Sequence, residues 1–323
     1  MKKRLALVGF LLLALIFLVI DFEKLFGILA RTNLALFAFA VLLAVPAVFA
    51  RSSKWGLMLK NQGFDFGSIK IFRYYFIGIG IGEFTPGRIG DFLKALFVNK
   101  RINSLAISFS SVLVDRIIDV TTLVALGIIS SVAFVLIFGV TIVSLPIIAV
   151  MIGGMLFSFY LLFNKPLLKK LLRPFYNMLI PEKFKEKLSK GFDLFLSNSQ
   201  KLLKQPKLLV SSILLSLVSW LLGAGTYYLL ALSLGIEMQF VFLLMVMALS
   251  NLVLLLPLSI SGIGTRDALM ILLFSLQGIP AETAVAFSFS VLFCSITIAL
   301  IGLSLVSFEE FNVRKMVREL GQT

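Results

Sequence analysis

The chain has no histidine and a single cysteine, Cys294, in 323 residues. A His-ligated metal, a Ser-His-Asp triad and a histidine general base are therefore excluded, and no disulfide can form within the chain. A carboxylate-only metal site or a carboxylate base stays open. Acidic residues are scarce as well: 16 Asp and Glu stand against 30 Lys and Arg, for a net charge of +14. In a soluble protein that balance would suggest nucleic acid. Here the basic residues mostly flank apolar runs, so cytoplasmic loops facing anionic lipid explain them better, and no nucleic-acid partner is expected. What the chain has in abundance is apolar side chain: 59% hydrophobic residues, with 32 Phe, and a mean hydropathy of +1.05. That is far from a soluble composition. The expected class is an all-α polytopic membrane protein, in which Cys294, set in an apolar run, is a small packing residue.

Charge asymmetry around the apolar runs gives an expected topology. Leu5–Ile20 is an uncleaved first span behind the basic Met1–Arg4, with the N-terminus in the cytoplasm. Asp21–Asn33 is a short external segment. Leu34–Ala50 returns inward to Arg51, Lys54 and Lys60, with Trp55 at the interface. Ser104–Ile129 crosses outward and Thr141–Phe163 comes back. The polar stretch 164–207 follows, with Phe184, Leu188, Phe192, Phe195 and Leu202 at helical spacing among many Lys, as in an amphipathic helix on the inner leaflet. Leu208–Leu234 crosses outward, and Thr283–Ser307 returns to a cytoplasmic tail carrying Arg314, Lys315 and Arg318. The chain then reads as one domain, 1–323, with halves 1–163 and 208–307 joined by the basic segment.

Two stretches break this pattern. Ile77–Val98, IGIGIGEFTPGRIGDFLKALFV, interrupts apolar residues with five Gly, one Pro and the ionisable Glu83, Arg88, Asp91 and Lys94. Basic residues lie on both sides of it: Lys70 and Arg73 before, Lys100 and Arg101 after. A weaker copy, Pro257–Phe274, PLSISGIGTRDALMILLF, has the same ingredients. Broken helix at membrane depth is tolerated only where the freed backbone is buried in protein or faces a watery cavity. Both stretches therefore read as re-entrant hairpins of two half-helices, opening to opposite sides. With about six crossings, they form the inverted repeat seen in many transporters.

The ionisable groups in these stretches are functional-site candidates by default. Arg88 and Arg266 offer a fork matched to phosphate oxygens. Gly87, Gly90, Gly262 and Gly264 allow close backbone approach, half-helix N-termini supply free N–H groups, and Ser261 adds a hydroxyl at the second break. The competing reading is an internal ion pair, Arg88 with Asp91 and Arg266 with Asp267 or Asp119. Asp115 and Asp119 are one helical turn apart and share a face, with Arg116 beside them. Glu83, Asp91, Asp115, Arg116, Asp119 and Asp267 make up the expected charge network. IGIGIG is no nucleotide loop, because no Lys-Ser/Thr follows. No catalytic residue, metal or cofactor is expected.

Three motifs carry a family resemblance. PGRIGDFLKA at Pro86–Ala95, VDRIIDVTTLVAL at Val114–Leu126 and LPLSISGIGTRDALMILLF at Leu256–Phe274 resemble the membrane region of lysylphosphatidylglycerol synthases and their stand-alone flippase-like relatives. The resemblance covers nearly the whole chain. Thr265 and Asp267 around Arg266 depart from the family's more usual Val-Arg-Glu. The resemblance implies a domain that moves a lipid with a charged head group between leaflets. The full-length synthases add an aminoacyltransferase domain. This chain ends about sixteen residues past its last expected span, so lipid synthesis is not expected of it.

The leading expectation is a lipid translocase of the cell membrane with both termini cytoplasmic. Arg88 and Arg266 hold a phosphate at the junction of the two hairpins. The expected partners are a lipid with an anionic or zwitterionic head group or a polyprenyl phosphate, and anionic inner-leaflet lipids; a homo-oligomer is left open. Two alternatives stand beside it: a membrane enzyme acting on a lipid phosphate, for which the scattered acids and absent His argue poorly, and a non-transporting lipid-binding scaffold.

Overall fold

A computed structural model describes residues 2–138, 153, 160, 164, 166–167, 170, 185–255, 259 and 261–308. The described elements are helical throughout. In chain order they are α1 (Lys2–Val19), α2 (Phe22–Ala30), α3 (Leu34–Asn61), α4 (Ser68–Glu83), a 3-10 segment (Pro86–Leu93), α5 (Lys94–Ile102), α6 (Leu105–Phe138), α7 (Lys185–Leu203), α8 (Pro206–Ser233), α9 (Phe240–Leu254), α10 (Thr265–Ser275) and α11 (Ala281–Ser304). Four described helices are long and apolar enough to cross a bilayer, at Leu34–Asn61, Leu105–Ile137, Pro206–Ser233 and Ala281–Ser307. Leu34 and Leu136 of these helices project outward more than three-quarters exposed. On a soluble surface such side chains would form an aggregation-prone patch; on these helices they face lipid. The protein is an all-α, multi-pass membrane protein. The crossing expected at Thr141–Phe163 and the basic tail lie outside the described residues.

Three sequence expectations change. The segment 21–33, expected as an external connection, holds a short helix, capped by the Asp21 carboxylate on Glu23 N–H at 3.0 Å and Lys24 N–H at 3.2 Å, and it buries Leu25. The second span does not stop at Ala50: α3 runs on to Asn61, and Lys54 and Trp55, expected at the cytoplasmic surface and interface, are fully buried. The amphipathic segment is helical over 185–203, and at its C-terminal end Leu202 of the expected apolar face is buried in protein, in a cluster with Met58, Val114 and Ile118. Phe184 lies outside the described residues.

Two apolar clusters make up most of the described core. One gathers Trp220, Phe242, Phe274 and Phe287 of α8–α11, with Phe274 and Phe287 rings 5.2 Å apart. The other gathers Trp55, Tyr74, Tyr75, Ile77 and Phe97 of α3–α5. In lipid there is little hydrophobic drive between helices, so close approach through small residues matters more. α3 and α8 pack together, and they bury Ala40, Ala44 and Ala47 on one helix and Ser212, Ser216 and Ser219 on the other. α4 meets α11 the same way. A Cβ built on Gly80 would lie 2.7 Å from the Ala299 carbonyl oxygen, and one on Gly302 only 2.4 Å from that of Phe76. The IGIGIG run is a packing surface.

Candidate functional site

The site is built at the end of α4. Sixteen residues give about 24 Å at 1.5 Å per residue, short of a ~30 Å hydrocarbon core. Thr85 closes the turn that follows: its hydroxyl donates to the Gly82 carbonyl at 2.9 Å and accepts from Gly90 N–H at 2.8 Å. Gly87 (φ 62°) and Arg88 (φ 54°) are both left-handed, which glycine adopts freely and arginine rarely. The 3-10 segment then returns against α4, so closely that a Cβ on Gly90 would lie 2.7 Å from the Ile81 carbonyl oxygen. The paired left-handed residues turn Arg88 back, and its Nη2 donates to Glu83 Oε2 at 3.0 Å. The carboxylate expected for Arg88, Asp91, is instead paired with Arg116.

The second break is built similarly. α9 has 15 residues and α10 has 11, each too short to cross alone. Between them Ser261, Gly262 and Gly264 have φ of 54°, 77° and 81°. The two breaks touch: Ser261 Oγ donates to the Glu83 carbonyl at 2.7 Å. Arg266, however, does not reach this junction's polar pocket. It is 1% exposed and donates to Ser288 Oγ and to the Ser288 carbonyl, both at 3.1 Å. Asp267 accepts from the same hydroxyl and from Gly264 N–H. Neither Asp267 nor Asp119 forms the ion pair expected for Arg266; Ser288 stands between Arg266 and Asp267.

Beneath the first break lies a buried charge network. Asp115 and Asp119 share a face of α6, as their spacing requires, and that face meets Lys54 and Lys94. Lys54 Nζ is 3.0 Å from Asp115 Oδ1 and also pairs with Asp119. Lys94 Nζ is 2.7 Å from Asp115 Oδ2 and lies 3.6 Å from the Tyr75 ring centroid. Ser216 of α8 donates to Asp119, and Trp220 Nε1 donates to the Asp119 carbonyl at 3.2 Å, so the network joins both halves. Lys54 was not among the expected site residues, and Lys94 was named only as one of the ionisable groups of the first break. The signal was their position: each lies well inside a helix or at a break, away from any chain end that would bring it to water.

Between the first break and this network is a narrow pocket lined by Arg51, Tyr75, Ile79, Gly82, Arg88, Asp91 and Arg116. As built it admits little more than a water molecule. Its charged lining is three guanidiniums and one carboxylate. Glu83 Oε1 and Asp91 Oδ1, both buried, have no hydrogen-bond partner. Among the described residues no cluster of three His, Cys, Asp or Glu could hold a metal. The arrangement suits recognition of an anion.

The curated relatives are membrane proteins of similar length. The UPF0104 membrane protein of Pyrococcus horikoshii is 26% identical over 304 residues, covering 88% of this chain and 90% of that one. That of Methanothermobacter thermautotrophicus is 22% identical, with 87% of each chain covered. One from Methanocaldococcus jannaschii is 26% identical at the same coverage. No solved structure matches the chain. The family model described as the lysylphosphatidylglycerol synthase TM region matches residues 5–304, and the chain belongs to that family.

Proposed function

We propose that this protein moves a lipid with a phosphate in its head group from one leaflet of the cell membrane to the other, as a transporter and not an enzyme. The observation that carries this reading is the convergence of Arg51, Arg88 and Arg116 on one pocket beside a broken helix. Guanidinium forks match phosphate oxygens, and an ionised group inside a membrane bundle is costly unless it serves a ligand or partner. Arg88 is the principal ligand, because 23% of its side chain is exposed while its Glu83 partner is 3% exposed. The head group rides between the two breaks and the tails stay in lipid.

The narrow pocket makes this arrangement a closed state. Admission of a head group requires the Ser261–Glu83 contact to part, which separates the two breaks. Opening that also loosens Arg266 from Ser288 gives the second break its own guanidinium for the departing phosphate. The hairpins are re-entrant from opposite faces in this reading, with both chain termini in the cytoplasm, and a downhill or ion-coupled cycle needs no nucleotide.

The test is reconstitution. Purified protein in liposomes, with fluorescent phospholipid in one leaflet, should move the label faster than protein-free vesicles of the same composition. Equal rates with demonstrably folded protein would overturn the reading. Chemical conversion of the lipid would point to an enzyme, and binding without movement to a scaffold.

A further inference from the structure

Helix α2, Phe22–Ala30, has three faces where a surface helix normally has two. At about 100° per residue, Leu25, Ile28 and Leu29 share one sector. Leu25 is buried there with Val285 and Ala286 of α11, and Ile28 and Leu29 pack against the same cluster. Glu23, Lys24 and Gly27 form a second, exposed sector, where Lys24 pairs with Asp21 at 3.2 Å. Between the two lie Phe22 and Phe26, 43% and 64% exposed, with ring centroids 6.4 Å apart. An apolar stripe that no protein covers, bordered by a charged side, suits a helix lying in a membrane interface.

The place of α2 in the fold agrees. At 1.5 Å per residue it is about 14 Å long, too short to cross. It leads into α3, whose first residue, Leu34, is more than three-quarters exposed. Asn33 N–H, before α3, donates to the Ser233 carbonyl at the end of α8 at 2.7 Å. Helix α2 therefore lies on the face of the bundle where α3 and α11 begin and α8 ends. Its Phe22 ring also meets Phe17 of α1, with centroids 5.4 Å apart. The aromatic row thus continues the exposed apolar side of α1, which carries Leu15 and Leu18.

We infer that Phe22 and Phe26 insert at the boundary between head groups and acyl chains, and that α2 is an interfacial anchor holding the start of α11 at that level. The stripe is covered by phospholipid and not by a second copy of the chain. Two half-exposed Phe rings offer roughly 200 Å², against about 800 Å² per partner in a stable interface. The neighbouring charges, Asp21, Glu23, Lys24 and Arg31, cancel, so the attachment is apolar and does not select head-group charge. The second break leads through α10 and the turn at Gly278 into α11, so the anchor fixes the depth of that hairpin's far end. The assignment requires a bilayer and does not rest on transport.

The test uses the full chain with Cys294 replaced by Ala, reconstituted in phosphatidylcholine vesicles with and without phosphatidylglycerol. Spin labels are placed singly at Phe22, Glu23, Lys24, Phe26 and Gly27, and their collisions with oxygen and with a water-soluble nickel chelate are measured. The oxygen-to-nickel ratio should be several-fold higher at Phe22 and Phe26 than at the other three positions, and unchanged by phosphatidylglycerol. Phe26→Trp keeps an aromatic ring and gives a second reading free of the label. Its emission, above the background of buried Trp55 and Trp220, should be quenched more by phospholipid brominated near the carbonyl end of the acyl chain than near the methyl end. Equal ratios at all positions, spin–spin broadening between copies at Phe26, a high ratio found only with phosphatidylglycerol, or stronger quenching from the methyl end would each overturn the inference.

Discussion

Ser261 Oγ donates a 2.7 Å hydrogen bond to the carbonyl oxygen of Glu83, 178 residues away in the chain. It joins the two helix breaks directly. The carbonyl belongs to the last turn of α4, where no following N–H of the helix can satisfy it. Ser261→Ala should therefore leave an acceptor unpaired and cost about 0.5–1.5 kcal/mol, seen as a small drop in the melting temperature of purified protein. An unchanged melting temperature would show that the breaks are held by other contacts.

The glycines on the α4–α11 contact should behave differently from glycines with room around them. Gly80→Ala and Gly302→Ala place a Cβ inside backbone contact distance, and overpacking of that kind costs about 1–3 kcal/mol. Gly223 of α8 has nothing within 4 Å of a built Cβ, so Gly223→Ala should be neutral or stabilising by up to about 1 kcal/mol. Thermal unfolding of the three variants decides the matter; equal destabilisation of all three would contradict the packing described for α4.

The buried network lends itself to a double-mutant cycle. Lys54→Met or Asp119→Leu alone leaves a buried charge short of a partner, a loss of about 3–5 kcal/mol. Together they remove one cation and one anion and leave Lys94 paired with Asp115. The double variant should recover much of the loss. If the two losses simply add, Lys54 and Asp119 are not coupled.

Orientation is open to labelling. With Cys294, which is buried, replaced by Ala, single cysteines at Ser68 and Asn103 should react from the same side of the membrane. Those at Gln239 and Gly278 should both react from the other. Ser68 begins α4, Asn103 caps α5, Gln239 caps α9 and Gly278 follows α10. Opposite-side labelling within either pair would rule out that re-entrant hairpin.

Much of the architecture was legible in the sequence. Gly and Pro inside apolar runs marked both breaks, because backbone that cannot stay helical has few refuges in a bilayer. The four-residue spacing of Asp115 and Asp119 announced a shared face. The pairings were not legible. Counting Lys and Arg at the ends of apolar runs puts Arg51 and Lys54 in a cytoplasmic loop, although Lys54 is fully buried. The competing ion-pair reading matched Arg88 to Asp91, three residues on. The left-handed pair Gly87–Arg88 reverses the chain and brings Glu83, five residues back, into reach instead. That reading offered Arg266 either Asp267 or Asp119, yet what Arg266 and Asp267 share is Ser288, a residue of α11 that nothing local pointed to.

The most direct measurement of the central claim is the rate of phospholipid transfer in liposomes by Arg88→Lys protein beside the unaltered chain. Lysine keeps the charge, and with it the pair to Glu83, but has no bidentate fork. Losing one charge-assisted contact of about 1.5–3 kcal/mol predicts a fall of roughly tenfold to a hundredfold in lipid affinity, and a matching fall in transfer at limiting lipid, with the melting temperature little changed. The double variant Arg88→Ala with Glu83→Gln, which leaves no unpaired charge, should transfer no faster than protein-free vesicles. Transfer at the unaltered rate by either variant, in folded form, would contradict a lipid phosphate held by Arg88.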